Sequence, residues 1–379
     1  MAGTLVTTNV VQTAVALGLD ALRQNIVLAR IVNKNYESRI GPGASQGSTV
    51  NVAIPAAVTT RSVTADVVPP AVSAVTPTSV SIALDQWKEA PFAMSDQAIS
   101  QVQRGIVPAQ MSEAIKSLAN TIDNFLWALL TGATNPIYGF SGTAGTTPFA
   151  SNTSQYLDAR AVLNSQLAPM DDRYVILDTD AEANALGLSA FADASASGSR
   201  ETIVEGDIGY RLGARFLMSQ NVPTHSNTGA GTILVNDAST AVGDTTITFD
   251  GGGTAPSNGD IFTIAGSSVT YAVKSSTSTV ITMSPTLQAV AADDAALTFK
   301  SDFVQNILIH RDCLAFASAP LLETQQIPGG VLTSTAIDEN SGLSLRMEVS
   351  RQYKQYMWSV DCLYGGSVIR PELAAFIAG

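Results

Sequence analysis

Along the chain the apolar positions change period several times, and each change marks an element. From Asn9 to about Lys34, Val11, Val15, Leu19, Leu22 and Ile26 recur at steps of three and four, which predicts an amphipathic helix. Asn9 with Gln12 three residues on has the spacing of a capping box, which would satisfy the first free backbone N–H groups. From Ser48 the period becomes two. Val50, Val52 and Ile54, then Val80, Ile82 and Leu84, alternate with small or polar residues and predict two strands. The segment between them is rich in Val, Thr and Pro and nearly free of charge. Pro69, Pro70 and Pro77 block helix there, so a projecting two-stranded arm is expected. An isolated hairpin is marginal in water, so such an arm should be held by another subunit.

Pro108 then opens the strongest helical pattern of the chain. Met111, Ile115, Leu118, Ile122, Phe125, Leu126 and Leu129 form one stripe, with Glu113, Lys116 and Asp123 off it and Gly132 as the stop. From Gln155 to His225 the pattern mixes a helical stretch, a strand at Arg173 to Leu177 and a helix beginning near Asp180, which is α+β character. Between Ser226 and Asp302 the composition shifts to seven Asp, two Lys and no Arg or Glu, with many Thr, Ser and Gly. Six strand-like runs there (TILV, TTITF, DIFTI, VTYAV, STVITM, ALTF) are parted by turn signals and predict a small inserted β-barrel or sandwich. Apolar sequence returns in VQNILIHRDCLAFASAPL, and Leu343 to Tyr364 alternates as a long hairpin.

Composition narrows the function classes. With 379 residues, 45% hydrophobic and 14% charged, the chain can bury two or three cores. Its formal charge of −12 disfavours general binding to nucleic acid or anionic lipid. The N-terminal segment lacks the pattern of a secretory signal, and no apolar run reaches the ~20 residues that span a bilayer, so a soluble, unexported protein with no membrane partner is expected. Cys313 and Cys362 both stand in apolar contexts and read as buried free thiols.

Catalytic chemistry is poorly represented. His225 follows Pro223 at an apparent boundary, and His310 sits in an apolar run where a structural imidazole is expected. His310-Arg311-Asp312 copies a kinase tripeptide without the Asn or Gly-rich loop that should accompany it. Asp178 and Asp180, between a strand and a helix, suit capping better than metal binding. Gly206, Gly209 and Gly213 lack dinucleotide-binding spacing, and the two Cys and two His give no zinc pattern. Asp250 or Asp260 could hold a cation, but solvated turn aspartates are the expectation. No catalytic, cofactor-binding or metal residue is assigned, and no enzyme activity is expected.

The segments VVQTAVALGLDALRQNIVLARIVNKNY, IGYRLGARFLMSQNVPTH, NILIHRDCLAFASAPL and YGGSVIRPELA, in this order of elements, resemble the major capsid proteins of tailed bacteriophages with the HK-ninety-seven-like fold. Within that superfamily the P-twenty-two coat branch, which carries an extra β-domain, is the most similar. The resemblance implies an α+β fold with an N-terminal helical arm at 1–40, an extended β-loop at 41–95 and a peripheral domain with a spine helix at 96–150. It further implies an apical domain at 151–225 and 303–330, an inserted β-domain at 226–302, and a peripheral return with the long terminal hairpin at 331–379.

It implies pentamers and hexamers of this chain closing an icosahedral virion shell around double-stranded DNA without sequence-specific binding, with scaffolding and portal proteins as partners and assembly in the host cytoplasm. Net negative charge suits a container from which DNA must later leave. Candidate subunit-interface residues are Arg23 and Arg30 on the N-terminal helix, and Arg61, Val67, Val68 and Val72 on the extended loop. Some relatives join subunits covalently through a loop lysine attacking an asparagine. Here the loop tip between Val58 and Thr78 has Arg61 as its only basic residue, and the nearest lysine is Lys88, so a non-covalent shell is expected. The alternative, a β-rich adhesin or capsid-decorating module, rests on the Thr/Ser-rich insert and is opposed by the long spine helix.

Overall fold

The computed structural model describes residues 27–34, 47–54, 78–97, 106–131, 137, 139–193, 205–267, 269–321, 332–337 and 343–379. They fall into two units. One lies within Lys34–Ala114 and Ala315–Ser367, the other within Asp20–Asn33, Ile115–Leu314 and Val368–Gly379.

The chain enters the described region at α1 (Leu28–Ile31), a single helical turn of the second unit. The first unit then begins with β1 (Thr49–Ile54) and β2 (Thr78–Ala83), an antiparallel pair in which Val50 faces Ile82 and Val52 faces Val80. Val50, Val52 and Ile82 are buried while Thr49, Asn51, Ser79 and Ser81 are exposed, so the two-residue period of the sequence becomes the two faces of the ribbon. Residues 55–77, which include the expected loop tip, lie outside the described residues.

β3 (Gln86–Ser95) follows, and α2 (Ile106–Thr131) carries the chain from the first unit into the second. Its 26 residues span about 39 Å at 1.5 Å per residue. The helix starts two residues before the expected Pro108. Pro108 is therefore third in the helix, still within the first turn, where a missing N–H breaks no bond. The predicted stripe is buried at Met111, Ile115, Leu118, Ile122 and Leu126, but Trp127, Leu130 and Asp123 are buried as well. Asp123 was expected off the stripe. It is enclosed because the Val27–Ile31 segment packs over it, a contact that the period of one helix cannot reveal.

In the second unit the chain continues through β4 (Gly139–Gly142), α3 (Ser154–Ser165), β5 (Arg173–Leu177), α4 (Thr179–Gly187), α5 (Ser189–Ala192), β6 (Tyr210–Arg211), β7 (Ala214–Met218) and β8 (Thr224–His225). Six strands then close a barrel: β9 (Ile233–Val235), β10 (Thr246–Gly251), β11 (Ile261–Ile264), β12 (Thr270–Ser276), β13 (Val280–Ser284) and β14 (Ala296–Phe299), in the order β10-β13-β12-β11-β14-β9. All six correspond to the six runs in the sequence, and every pairing is antiparallel. Closure leaves no open edge, and the interior is filled by a core that includes Ile247, Phe262, Tyr271, Val273, Ile281 and Leu297. At Gly251, with φ +111°, an added Cβ would stand 2.2 Å from the Thr232 carbonyl oxygen, so only glycine fits this end of β10.

β15 (Phe303–His310) leaves the barrel and leads through a 3-10 turn at Arg311–Cys313 into β16 (Leu314–Ala319). β17 (Leu332–Ile337), β18 (Ser344–Gln352), β19 (Gln355–Val368) and β20 (Ala374–Ala378) complete the chain. The second unit's sheet runs β4-β20-β15-β5-β7-β6, with β8 paired to β15. His225 faces Phe303 and Thr224 faces Val304, so the chain departs for the barrel and returns from it at one rung of two neighbouring strands.

The first unit holds a five-stranded sheet, β16-β19-β18-β17 with β3 on β19. β18 and β19 form the expected hairpin, and Tyr353 and Lys354 make the two-residue turn. β3 follows β19 over ten rungs, from Ser95 facing Gln355 to Gln86 facing Tyr364, and Phe92 stacks on its rung partner Trp358 at 5.4 Å. At Gly365 a Cβ would lie 1.9 Å from the Ala83 carbonyl oxygen, which is why this strand position carries no side chain.

Candidate functional site

The polar groups with chemical potential are committed to structure. His310 Nδ1 accepts the Asp312 N–H at 3.1 Å and caps the 3-10 turn, the structural role its context implied. The Asp178 carboxylate accepts the Asp180 N–H at 3.2 Å and caps α4. Both cysteines are buried and free. Burial pushes the Cys362 thiol up to about 12, against an opposing Ser318 hydrogen bond, and burial also raises Cys313. Neither thiol forms a nucleophile near neutral pH. Among the described residues no group of three or more His, Cys, Asp or Glu side chains is placed to hold a metal ion.

Asp260 departs from the expectation of a solvated turn aspartate. It is fully buried, and six donors converge on it. Its Oδ2 accepts from the Thr228 N–H and hydroxyl (3.1 and 3.0 Å), the Gly229 N–H (2.9 Å) and the Ser257 N–H (2.9 Å). Its Oδ1 accepts from the Ser257 hydroxyl (3.0 Å) and from His225 Nε2 (2.8 Å). Burial alone would raise this carboxyl, but His225 and the Ser257 and Gly229 donors outweigh it and hold it below the usual carboxylate range. The carboxylate thus ties the barrel at Asp260 to the strand end at His225 that leads into it. Asp250 is exposed on a barrel strand. Sequence spacing could not find the cluster, because its members are brought together only by closure of the barrel.

Two other charged groups are fixed internally. In the first unit Asp361 is clamped by Arg346 through Nε (3.1 Å) and Nη2 (2.6 Å), and its Oδ2 also accepts Trp87 Nε1–H at 3.0 Å. In the second unit the guanidinium of Arg173 is buried and donates to the Pro169 and Ala168 carbonyls at 2.6 and 2.8 Å.

Of the expected interface residues, Arg30 is exposed on α1. Arg23, Arg61, Val67, Val68 and Val72 lie outside the described residues. The turn that carries Arg30 is held by the spine helix: Asp123 Oδ2 accepts the Val27 N–H at 3.1 Å, and the Leu28 and Ala29 amides also bond to this carboxyl. A carboxylate 96 residues away therefore caps α1. Burial nevertheless dominates, and Asp123 is raised to about 6. Lys88 is exposed on β3.

A mixed α+β molecule with an extended two-stranded ribbon, a long spine helix and its polar groups locked in place is a structural building block. Its fold is the HK-ninety-seven-like capsid fold. A structure from Mycobacterium phage Che8 aligns over 93% of this chain and 90% of its own, at 18% identity and a TM-score of 0.52. Two others align at lower TM-scores: the capsid of Cyanophage P-SCSP1u (14% identity, 89% and 84% of the two chains, 0.45) and the virus-like particle from Pyrococcus furiosus (8%, 97% and 98%, 0.43). The sequence profile of the family described as phage capsid protein matches residues 76–274, more than half of the chain. The chain belongs to the phage capsid protein family, and it is a non-enzymatic structural protein of the virion capsid. No curated protein matches it.

Proposed function

We propose that this chain is the subunit of an icosahedral shell, assembling as pentamers and hexamers around double-stranded DNA in the host cytoplasm with the help of scaffolding and portal proteins. The observation that carries the proposal is the family match over 76–274, which runs from the end of the loop, through the spine helix, into the barrel. A two-stranded ribbon and a long helix in one subunit also suit a shell, where one sequence must occupy slightly different positions.

The proposed domain plan is an N-terminal arm at 1–40, an extended loop at 41–95, a peripheral domain at 96–150 and 331–379, an apical domain at 151–225 and 303–330, and an inserted β-domain at 226–302. Departure and return of the chain on one shared rung, at His225 and Phe303, supports the boundaries of the insert and the assignment to the P-twenty-two-like branch. Arg23, Arg30, Arg61, Val67, Val68 and Val72 are proposed to contact neighbouring subunits.

Electron microscopy of the purified full-length chain, alone and co-expressed with a scaffolding protein, tests this reading. Closed shells or capsomer-sized rings are expected. Monomers under both conditions would favour a decorating module instead.

A further inference from the structure

In the second unit a concavity of about 360 Å³ opens between the α1 turn and one face of β5 and β7. Among the described residues its lining includes Arg30, Tyr174, Arg215, Leu217 and Met218, and no acidic residue. The alternation along β7 explains it: Ala214 and Phe216 point into the core, which turns Arg215 and Leu217 to the opposite face. Met218, at the strand end, is 37% exposed. Tyr174 shares the face because it is the rung partner of Arg215 in the parallel β5–β7 pair. Arg30 and Arg215 are both exposed, and neither guanidinium makes an ion pair or hydrogen bond with a described residue.

Two guanidinium groups that converge on one concavity repel each other until an anion is seated between them. In a chain with 32 acidic against 20 basic side chains, a concavity whose described lining is cationic, aromatic or aliphatic stands opposite in sign to the molecule as a whole. A bare phosphate would answer the charges and leave Leu217 and Met218 in water. A peptide segment bearing a carboxylate beside apolar side chains answers both. We infer that this groove docks a second copy of this chain, whose acidic surface supplies the carboxylate for Arg30 and Arg215. The inference rests on the shell reading and deepens it: Arg30 becomes half of a two-arginine site, and Arg215, Tyr174 and Met218 join the interface.

The test uses the full-length chain. The double reversal Arg30→Glu/Arg215→Glu, at two exposed positions, should melt like the parent yet give roughly tenfold fewer particles by sedimentation and microscopy. Parent assembly should weaken with added salt. Because Cys313 and Cys362 are buried, a Met218→Cys variant can be labelled at that position with a thiol-reactive photo-crosslinker. Irradiation should give an adduct at twice the subunit mass, which decides the question even if the double reversal folds poorly. Full particle yield from a folded double reversal, or an adduct only to DNA or to another polypeptide, would overturn the inference. If the parent forms no particles, the shell reading fails, and the adduct formed in solution then judges the docking site alone.

Discussion

Asp123 offers the sharpest test of the packing described here. The carboxyl is fully buried, Oδ1 has no hydrogen-bond partner, and Oδ2 accepts the amides that open α1. Burial raises it from 3.8 to about 6, against the opposing bonds from Val27, Ala29, Leu28 and Asn221, and no charged group contributes. A folded value above the unfolded one means that the native state takes up a proton more readily between about pH 4 and 6. The contribution of Asp123 to stability should therefore be greatest below about pH 4 and fall as pH rises through 6. At about 1.4 kcal/mol per pH unit, the ionised group costs about 3 kcal/mol at pH 7.5 relative to the protonated one.

Asp123→Asn preserves shape, keeps an oxygen for the amides and cannot titrate. Denaturant unfolding of parent and variant should be followed at pH 7.5, 6.0 and 4.5. Other titrating groups cancel in the difference between the two proteins. That difference should shift by about 2 kcal/mol in favour of the parent between pH 7.5 and 4.5, with most of the change between pH 6.0 and 4.5. A difference that stays constant across the range would show that the carboxyl is hydrated or already paired, and the argument from burial would be wrong.

Further outcomes follow from the barrel and the loop. The excised segment 226–302 should fold cooperatively by circular dichroism, since its strands close on themselves; a disordered spectrum would reject the boundary. In the full chain, Asp260→Ala removes the buried acceptor of six hydrogen bonds and should destabilise the barrel by about 3–5 kcal/mol. Acid should have a similar effect, because a depressed carboxyl stabilises the fold above its unfolded value and loses that contribution as pH falls through the folded one. Mature particles boiled in detergent should run as a single band near 39.4 kDa, because a guanidinium at position 61 is a poor nucleophile; a ladder that persists under reducing conditions would refute this.

What the sequence by itself determined is local. The two-residue alternation of β1, β2 and the six barrel strands, the run of α2 and the Asp178 cap were legible because neighbouring residues decide them through pleat, helical period and capping. The resemblance to phage capsid proteins was legible as well, since it rests on the order of such elements. Only the tertiary structure decided the fate of the charges. Asp123 looked like a solvent-facing residue until a segment almost a hundred positions away packed over it, and Asp260 looked like a turn aspartate until barrel closure brought Thr228, Gly229 and His225 to it. Arg30 and Arg215 lie on distant segments and share a groove only because α1 packs beside β7. A side chain's charge is written in the sequence, but its surroundings depend on contacts between residues far apart in the chain, and no local period encodes those.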